Sequence, residues 1–304
     1  MTDSAIGFIG LGNMGGRMTK CLLRDGIRVR GYDVSPSALA ESGADPGGSA
    51  ADVTDHSDIV LLSLPDTKVV ETVSLGADGL VARSRPGQII VDLSTAAPAS
   101  TRRLHALYAE RGAEYLDAGI SGGAAAADKG ALTLMVGGSG DALAAARPTL
   151  DHFSAHIYHV GDSGAGHTTK LLNNFLNAVA LAATAEVMVT AKKAGLDLAT
   201  VLDVFNNSSG VNFATVNRFP KIINGDYLKG GLTNTLMLKD VTLYTELAAE
   251  LGVASLNAPG PVASFGLARA LGYADEISNT VVDAIGDVSG GVRLFEQSDP
   301  EASR

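Results

Sequence analysis

The sequence predicts an α/β fold: an N-terminal doubly wound parallel sheet, then an all-α C-terminal domain, joined by a long interdomain helix. Three observations carry this. Short β-branched runs alternate with helical stretches through the first half, a pattern that implies parallel strands with helices on both faces. The strand signals stop at about Gly161. Beyond it, the alanine- and leucine-rich segment from His167 to Ala194 runs free of proline and glycine until Gly195 ends it.

Taken in order, the strand signals are Ile6–Ile9, Val29–Tyr32, Ile59–Leu62, Ile89–Val91 and Tyr115–Leu116. The helical stretches between them are Met14–Arg24, Ser37–Glu41, Thr67–Ser74 and Ser100–Arg111. Apolar runs at Leu132–Val136 and Ile157–Val160 extend the sheet. Gly161, Gly164 and Gly166 punctuate the chain before the long helix, about residues 167–194. At about 1.5 Å per residue that helix spans roughly 40 Å, more than a small domain's core needs. It is therefore read as a bridge between two domains, 1–162 and 163–304. Helices Leu198–Asn206, Asn212–Ile223, Leu236–Leu251, Pro259–Leu271 and Ile277–Ile285 fill the second domain, and the residues from Gln297 on read as a frayed tail.

Composition narrows the function classes. A chain of 304 residues can bury two cores. With 46% apolar and 18% charged residues, it is not a predominantly disordered chain. A formal net charge of −10 argues against a nucleic-acid partner, which needs a positive surface, but not against a small anion that sees only its pocket's field. The single cysteine, Cys21, excludes an internal disulfide and a cysteine-based metal cluster, and its apolar helix position points to packing. The start of the chain has Asp3 and no basic leader. The longest apolar helical stretch, Ala178 to Ala191, is interrupted by Glu186 and is too short to span a bilayer. A cytoplasmic protein without a membrane partner is expected.

The run Gly10-Leu11-Gly12-Asn13-Met14-Gly15 fits G-x-G-x-x-G. Such a run alone is a weak signal, because glycines often only make turns. Here it follows an apolar strand, opens a helix, and leads to a second strand that ends at Asp33. Gly10 suits the tight turn, Gly12 the close approach of a pyrophosphate, and Gly15 the packing of helix on strand. This is the dinucleotide-binding signature of a Rossmann domain. The Asp33 carboxylate can accept from a ribose hydroxyl but repels a 2′-phosphate, and Val34, Ser35 and Pro36 supply no arginine to hold one. The expected cofactor is NAD rather than NADP. Asp33 as a mere cap for the next helix is the alternative.

Four segments in order, GLGNMG at Gly10–Gly15, DAGISGG at Asp117–Gly123, GAGHTTKLLNN at Gly164–Asn174 and Leu238-Lys239-Asp240, give the chain a specific likeness. It resembles the β-hydroxyacid dehydrogenases, which include 3-hydroxyisobutyrate dehydrogenase and tartronate semialdehyde reductase, over nearly its whole length. The resemblance implies an NAD-dependent enzyme that moves hydride to or from the CH–OH carbon of a small 3-hydroxy acid, and a homodimer or homotetramer.

It also implies roles for residues. Ser121, Gly122 and Gly123 match a turn that receives the substrate carboxylate, and a hydroxyl with two unshielded amides suits an anion. Gly119 stands where the family usually has proline, a departure expected to loosen that loop. Lys170 matches the catalytic lysine. Near the domain junction, close to a positive nicotinamide, burial and like charge favour its neutral amine as general acid/base. Asn174 lies one turn on, on the same helix face, and would orient the substrate; Asn173 is rotated about 100° away. Lys239 matches a cofactor-contacting lysine, and Leu64, Pro65 and Thr95 match loops at strand carboxyl ends, where Rossmann ligands bind.

Other readings have less support. Imine reductases share the architecture but typically replace the lysine. A 6-phosphogluconate dehydrogenase is normally much longer and needs a basic cluster for its sugar phosphate. Non-catalytic chromatin-binding relatives have lost the lysine. His152, His156 and His159 straddle a helix-to-strand junction, so neither periodicity unites them as metal ligands, and no metal is expected. His167 reads as a helix-start residue. Asn212, Phe213, Asn217 and Arg218 are candidates for substrate selection, with an exposed ion pair as the blander role for Arg218.

Overall fold

Unbroken apolar runs make strands that are buried on both faces, and the first unit is built on them. The structure, a computed structural model, describes residues 5–228 and 230–295; Asp3 and the tail from Gln297 lie outside the described residues. In chain order come β1 (Ile6–Ile9), α1 (Gly15–Arg24), β2 (Val29–Tyr32), α2 (Pro36–Ser42), β3 (Asp45–Pro46), α3 (Ala50–Asp55), β4 (Ile59–Leu62), α4 (Thr67–Leu75), α5 (Leu80–Arg83), β5 (Ile89–Asp92) and α6 (Pro98–Ala109). Then follow β6 (Glu114–Ser121), α7 (Gly123–Asp128), β7 (Leu132–Gly137), α8 (Gly140–Leu150) and β8 (Ser154–Gly161). Helix α9 (Ala165–Lys193) is succeeded by α10 (Leu198–Asn206), α11 (Phe213–Asn217), α12 (Phe219–Ile222), α13 (Asn234–Glu250), α14 (Pro259–Ala268) and α15 (Val281–Val288). Two compact units result, Met1–Leu171 and Leu172–Arg304, and the division falls inside α9.

The first unit holds one eight-stranded sheet in the order β3-β2-β1-β4-β5-β6-β7-β8. Side chains alternate across it. Phe8, Ile59, Leu61 and Val91 pack on one face with Met18 and Phe153, while Ile9, Val60, Leu62 and Ile90 pack on the other with Tyr108 and Tyr115. The sheet is parallel except between β6 and β7, which pair antiparallel from Asp117 opposite Gly137 to Ser121 opposite Thr133. A short helix, α7, joins these two strands, too little chain for the crossover a parallel pair requires. Strand order reverses between β1 and β4, the crevice at which doubly wound sheets bind ligands.

The second unit is helical. Phe175, Ala178, Leu181, Ala182, Ala185, Met188 and Val189 of α9 recur at helical spacing and are buried with Phe219, Met237, Val241, Phe265 and Val282. This corrects the length argument against a membrane span: α9 has 29 residues and by length and composition could cross a bilayer. What assigns it to a core instead is that apolar face, buried in its own unit.

The helix expected over Asn212–Ile223 breaks at Arg218 into α11 and α12. Pro220 has no N–H to give and its ring clashes with the preceding turn, so one helix cannot run through it. Asn212 caps α11: its Oδ1 accepts from Ala214 N and Thr215 N, and Thr215 Oγ1 accepts from Asn212 N.

Candidate active site

The glycine loop leaves β1 and enters α1 with each glycine in a different predicament. Gly10 has φ +88°, and a Cβ there would lie 2.3 Å from Ser63 O. A Cβ on Gly15 would lie 1.9 Å from Gly10 O, so this glycine lets the helix close on the turn. A Cβ on Gly12 would meet nothing within 4 Å. Gly12 is thus the one whose bare side faces open space, where a pyrophosphate needs to come close. No side chain caps α1, although Gly16 N in its first turn already donates to Gly12 O at 2.9 Å. Leu11 is buried, Met14 half-buried and Asn13 exposed, with the Asn13 Oδ1 accepting from Arg17 Nε at 3.2 Å. The half-buried Asp33 carboxylate, just past β2, accepts from Leu11 N at 2.6 Å and from Ser35 N at 2.8 Å. It therefore stiffens the glycine loop as well as standing where a ribose hydroxyl is read. These residues fit a bound dinucleotide, which supplies a nicotinamide as hydride acceptor or donor.

Parallel strands end at one edge of the sheet, and this brings the other expected residues of the first unit to that edge. Leu64 and Pro65 follow β4, and Leu64 N donates to Ser94 Oγ at 2.9 Å. Thr95 follows β5. Ser121 closes β6, and Gly122 and Gly123 turn away from it with φ of +124° and +67°. A Cβ on Gly123 would meet no atom within 4 Å, so its amide is approachable from that side.

A buried network, missed from the sequence, holds these ends. Asp92 and Asp117, both fully buried, sit on β5 and β6. Tyr115 donates its hydroxyl to Asp92 Oδ2 at 2.8 Å, and burial holds that phenol protonated, well above its ordinary pKa. Asp117 accepts from Gly164 N and His167 N, each at 2.8 Å, and so caps the start of α9. His167 is fully buried, with Nδ1 2.7 Å from Thr101 Oγ1 and Nε2 3.3 Å from Asp92 O. Its ring is committed to this anchorage. The signal was present in Asp117, the first residue of the matched segment, but its partners lie about 50 positions away.

Lys170, half-buried on α9 one turn beyond this cap, is placed by β6. Gly119 is not in a loop, as expected, but within β6, opposite Met135 of β7. A Cβ on Gly119 would lie 2.5 Å from Lys170 Cβ and 3.0 Å from Lys170 Cγ. The missing side chain is where the lysine stem passes, so the departure from proline tightens this contact rather than loosening a turn. Of the two leucines beside Lys170, Leu171 is buried and Leu172 is 45% exposed.

In the second unit Asn174 is buried, and its Nδ2 donates to Asp240 Oδ2 at 2.5 Å. Its Oδ1 accepts from Asn173 Nδ2 at 3.2 Å. Asp240 Oδ1 is buried and forms an ion pair with Lys239 Nζ at 3.1 Å. Asp240 closes the Leu238-Lys239-Asp240 segment, and its contact with Asn174 is not legible from the sequence. Arg218 departs from expectation. It is half-buried and forms no ion pair among the described residues; Nη1 donates to Asn279 Oδ1 at 2.7 Å and Nη2 to Asn177 Oδ1 at 3.0 Å. Burial lowers its pKa to about 10. Asn212 is spent on its cap, Phe213 is 60% exposed, and Asn217 Nδ2 donates to Phe213 O.

The remaining signals are structural. Cys21 is buried, donates to Ala127 O at 3.2 Å, and burial raises its thiol pKa. His152 pairs with Asp25 at 2.8 Å, and His159 contacts Gly138 O at 2.8 Å, in separate places.

Comparison with known proteins agrees with this architecture. The family model described as the NAD binding domain of 6-phosphogluconate dehydrogenase matches residues 5–161, and that described as NAD-binding of NADP-dependent 3-hydroxyisobutyrate dehydrogenase matches 164–281. A 2-(hydroxymethyl)glutarate dehydrogenase of Eubacterium barkeri is 35% identical, covering 96% of this chain and 95% of that protein. An NAD-dependent L-serine dehydrogenase of Pseudomonas aeruginosa is 40% identical over 80% of this chain and 85% of its own. The solved 3-hydroxyisobutyrate dehydrogenase of Mycobacterium tuberculosis with L-serine superposes with a TM-score of 0.84 at 31% identity, covering 94% of this chain and 99% of that one. The chain belongs to the β-hydroxyacid dehydrogenase family and is an NAD-dependent oxidoreductase acting on CH–OH.

Proposed function

We propose that the chain oxidises a primary alcohol of the form HOCH2–CHR–COO⁻ to the aldehyde, or runs the reverse reduction. The compounds named for its relatives, 2-(hydroxymethyl)glutarate, L-serine and 3-hydroxyisobutyrate, all contain that unit and differ in R. The carrying observation is the seating of Lys170 against the bare backbone of Gly119, one helical turn from Asn174. In the oxidation the C–H bond of the carbinol carbon breaks with its electron pair going to the nicotinamide. The hydroxyl proton passes to the neutral Lys170 amine, and the C–O bond becomes a carbonyl. Ser121 and the amides of Gly122 and Gly123 take the carboxylate, and Asn174, steadied by Asp240, holds the hydroxyl. Gly10–Gly15, Asp33, Leu64, Pro65, Thr95 and Lys239 serve the cofactor.

Lys170→Ala tests this reading. Its turnover is expected to fall roughly 10²-fold or more, a typical loss for a general acid/base, with NADH binding by fluorescence nearly intact. Near-normal turnover by NADH absorbance refutes the assignment. We also propose a cytoplasmic location and, supported by a stripe of exposed Leu172, Leu176 and Val187 along one face of α9, a homodimer or homotetramer.

A further inference from the structure

Among the described residues the ion-paired arginines lie at the surface, with side chains 33–89% exposed, as in Arg17 with Asp128, Arg30 with Asp52 and Arg293 with Asp287. Arg218 is half-buried and has no carboxylate within ion-pair distance among the described residues. Two amide oxygens hold it instead, and neither carries charge. Asn279 is buried and donates its own Nδ2 to Tyr227 O at 2.8 Å, which fixes its oxygen toward the guanidinium. Arg218 Cζ lies over the Phe213 ring, 5.7 Å from its centroid. A guanidinium has five N–H donors, so others remain after these two bonds. The fork is oriented in advance, its charge is not neutralised, and burial has already weakened its hold on the proton. An anion arriving there meets donors that need no rearrangement.

Position says which anion. Asn177, which holds Arg218, lies three residues after Asn174 on α9, about 4.5 Å along the axis and within the same broad face. Both belong to the second unit. The substituent R of a substrate held at Asn174 is the part of the molecule free to reach this neighbour.

We propose that Arg218 reads R and selects one that carries a second anionic group, a carboxylate or a similarly small oxyanion. The proposal rests on the HOCH2–CHR–COO⁻ reading above and narrows it. An R of methyl leaves the guanidinium unanswered, and the ammonium of serine is repelled by it.

The test compares kcat/KM for 2-(hydroxymethyl)glutarate and 3-hydroxyisobutyrate, which differ by a carboxyethyl arm in place of methyl. The wild type is expected to favour the dianion by roughly tenfold or more, the scale of one charge-assisted hydrogen-bond pair. Arg218→Gln should lower that ratio roughly tenfold to a hundredfold, chiefly through KM, and Arg218→Lys should recover part of it. A structural role lowers both rates in parallel and leaves the ratio alone, and that outcome overturns the proposal, as does a wild-type preference for 3-hydroxyisobutyrate or L-serine. Should the variants fail to fold, the wild type alone decides: capping the distal carboxylate as a carboxamide must erase the preference. If no hydroxy acid is turned over, the reaction assignment fails, and thermal stabilisation by glutarate beyond that by butyrate becomes the readout. Its presence upholds the Arg218 site, and its absence overturns it.

Discussion

Placing a single methyl group on Gly119 probes how closely β6 and α9 approach. The added Cβ would sit 2.5 Å from Lys170 Cβ, 3.0 Å from Lys170 Cγ and 3.3 Å from Gly166 O. Carbon contacts settle at about 3.5–4.0 Å, so the lysine stem must retreat by roughly 1 Å or more. It has little freedom to do so. Asp117 holds Gly164 N and His167 N at 2.8 Å, and a Cβ on Gly166 would lie 2.2 Å from Asp117 O, so the first turn of α9 is clamped to the same strand. Overpacking of this kind costs about 1–3 kcal/mol, offset by roughly 0.5–1 kcal/mol for removing a glycine from a strand. The net loss is about 0–2.5 kcal/mol, up to a few degrees in Tm. The effect on turnover should be larger, because about 1 Å of misplacement at a reacting group costs on the order of 10²-fold. Thermal melts and steady-state kcat on the same preparation separate the two. Gly266→Ala, in α14 where a Cβ meets nothing within 4 Å, is the control and should melt slightly higher. Full turnover and an unchanged melt for Gly119→Ala would show that α9 has room to spare and that Gly119 does not seat Lys170.

Two further outcomes are expected. Asp33→Ala combined with Ser35→Arg should move the kcat/KM preference from NAD toward NADP. Ser35 caps α2 and Asp33 braces Leu11 N, so the double variant should also lose about 1–2 kcal/mol in a thermal melt; an unchanged cofactor ratio would leave Asp33 as a brace only. Leu176→Glu puts a charge in the exposed stripe of α9, where Leu176 is 70% exposed. Light scattering should then report a smaller assembly than the wild type forms, and an unchanged mass places the interface elsewhere.

Much of the fold was legible because its signals are local. The starts of β1, β2, β4 and β5 and the limits of α10 coincide with the apolar runs that announce them, since a strand buried on both faces must be apolar throughout. Where the burial signal is faint, the elements were lost. β3 is two exposed residues, Asp45 and Pro46, and α7 is a run of alanines. β6 was visible only as Tyr115–Leu116 because Asp117, Gly119 and Ser121 do not look like strand residues, yet each is in the strand for what it holds or lets approach.

The nucleotide loop was readable for the same reason. Strand, glycines, helix and Asp33 all lie between Ile6 and Asp33, and the chain's own stiffness relates them. The chain alone thus determined the sheet, the helical second half and the cofactor loop. Tertiary structure decided the rest: that Gly119 is a space for a lysine stem, that Asp117 clamps the helix bearing it, and that Arg218 has amides for neighbours where a carboxylate was expected. Arg218 meets Asn177 and Asn279 across separations of 41 and 61 residues. Periodicity records which side of an element faces inward, but the neutralisation of a charge depends on what distant segments bring to it, and only packing brings them.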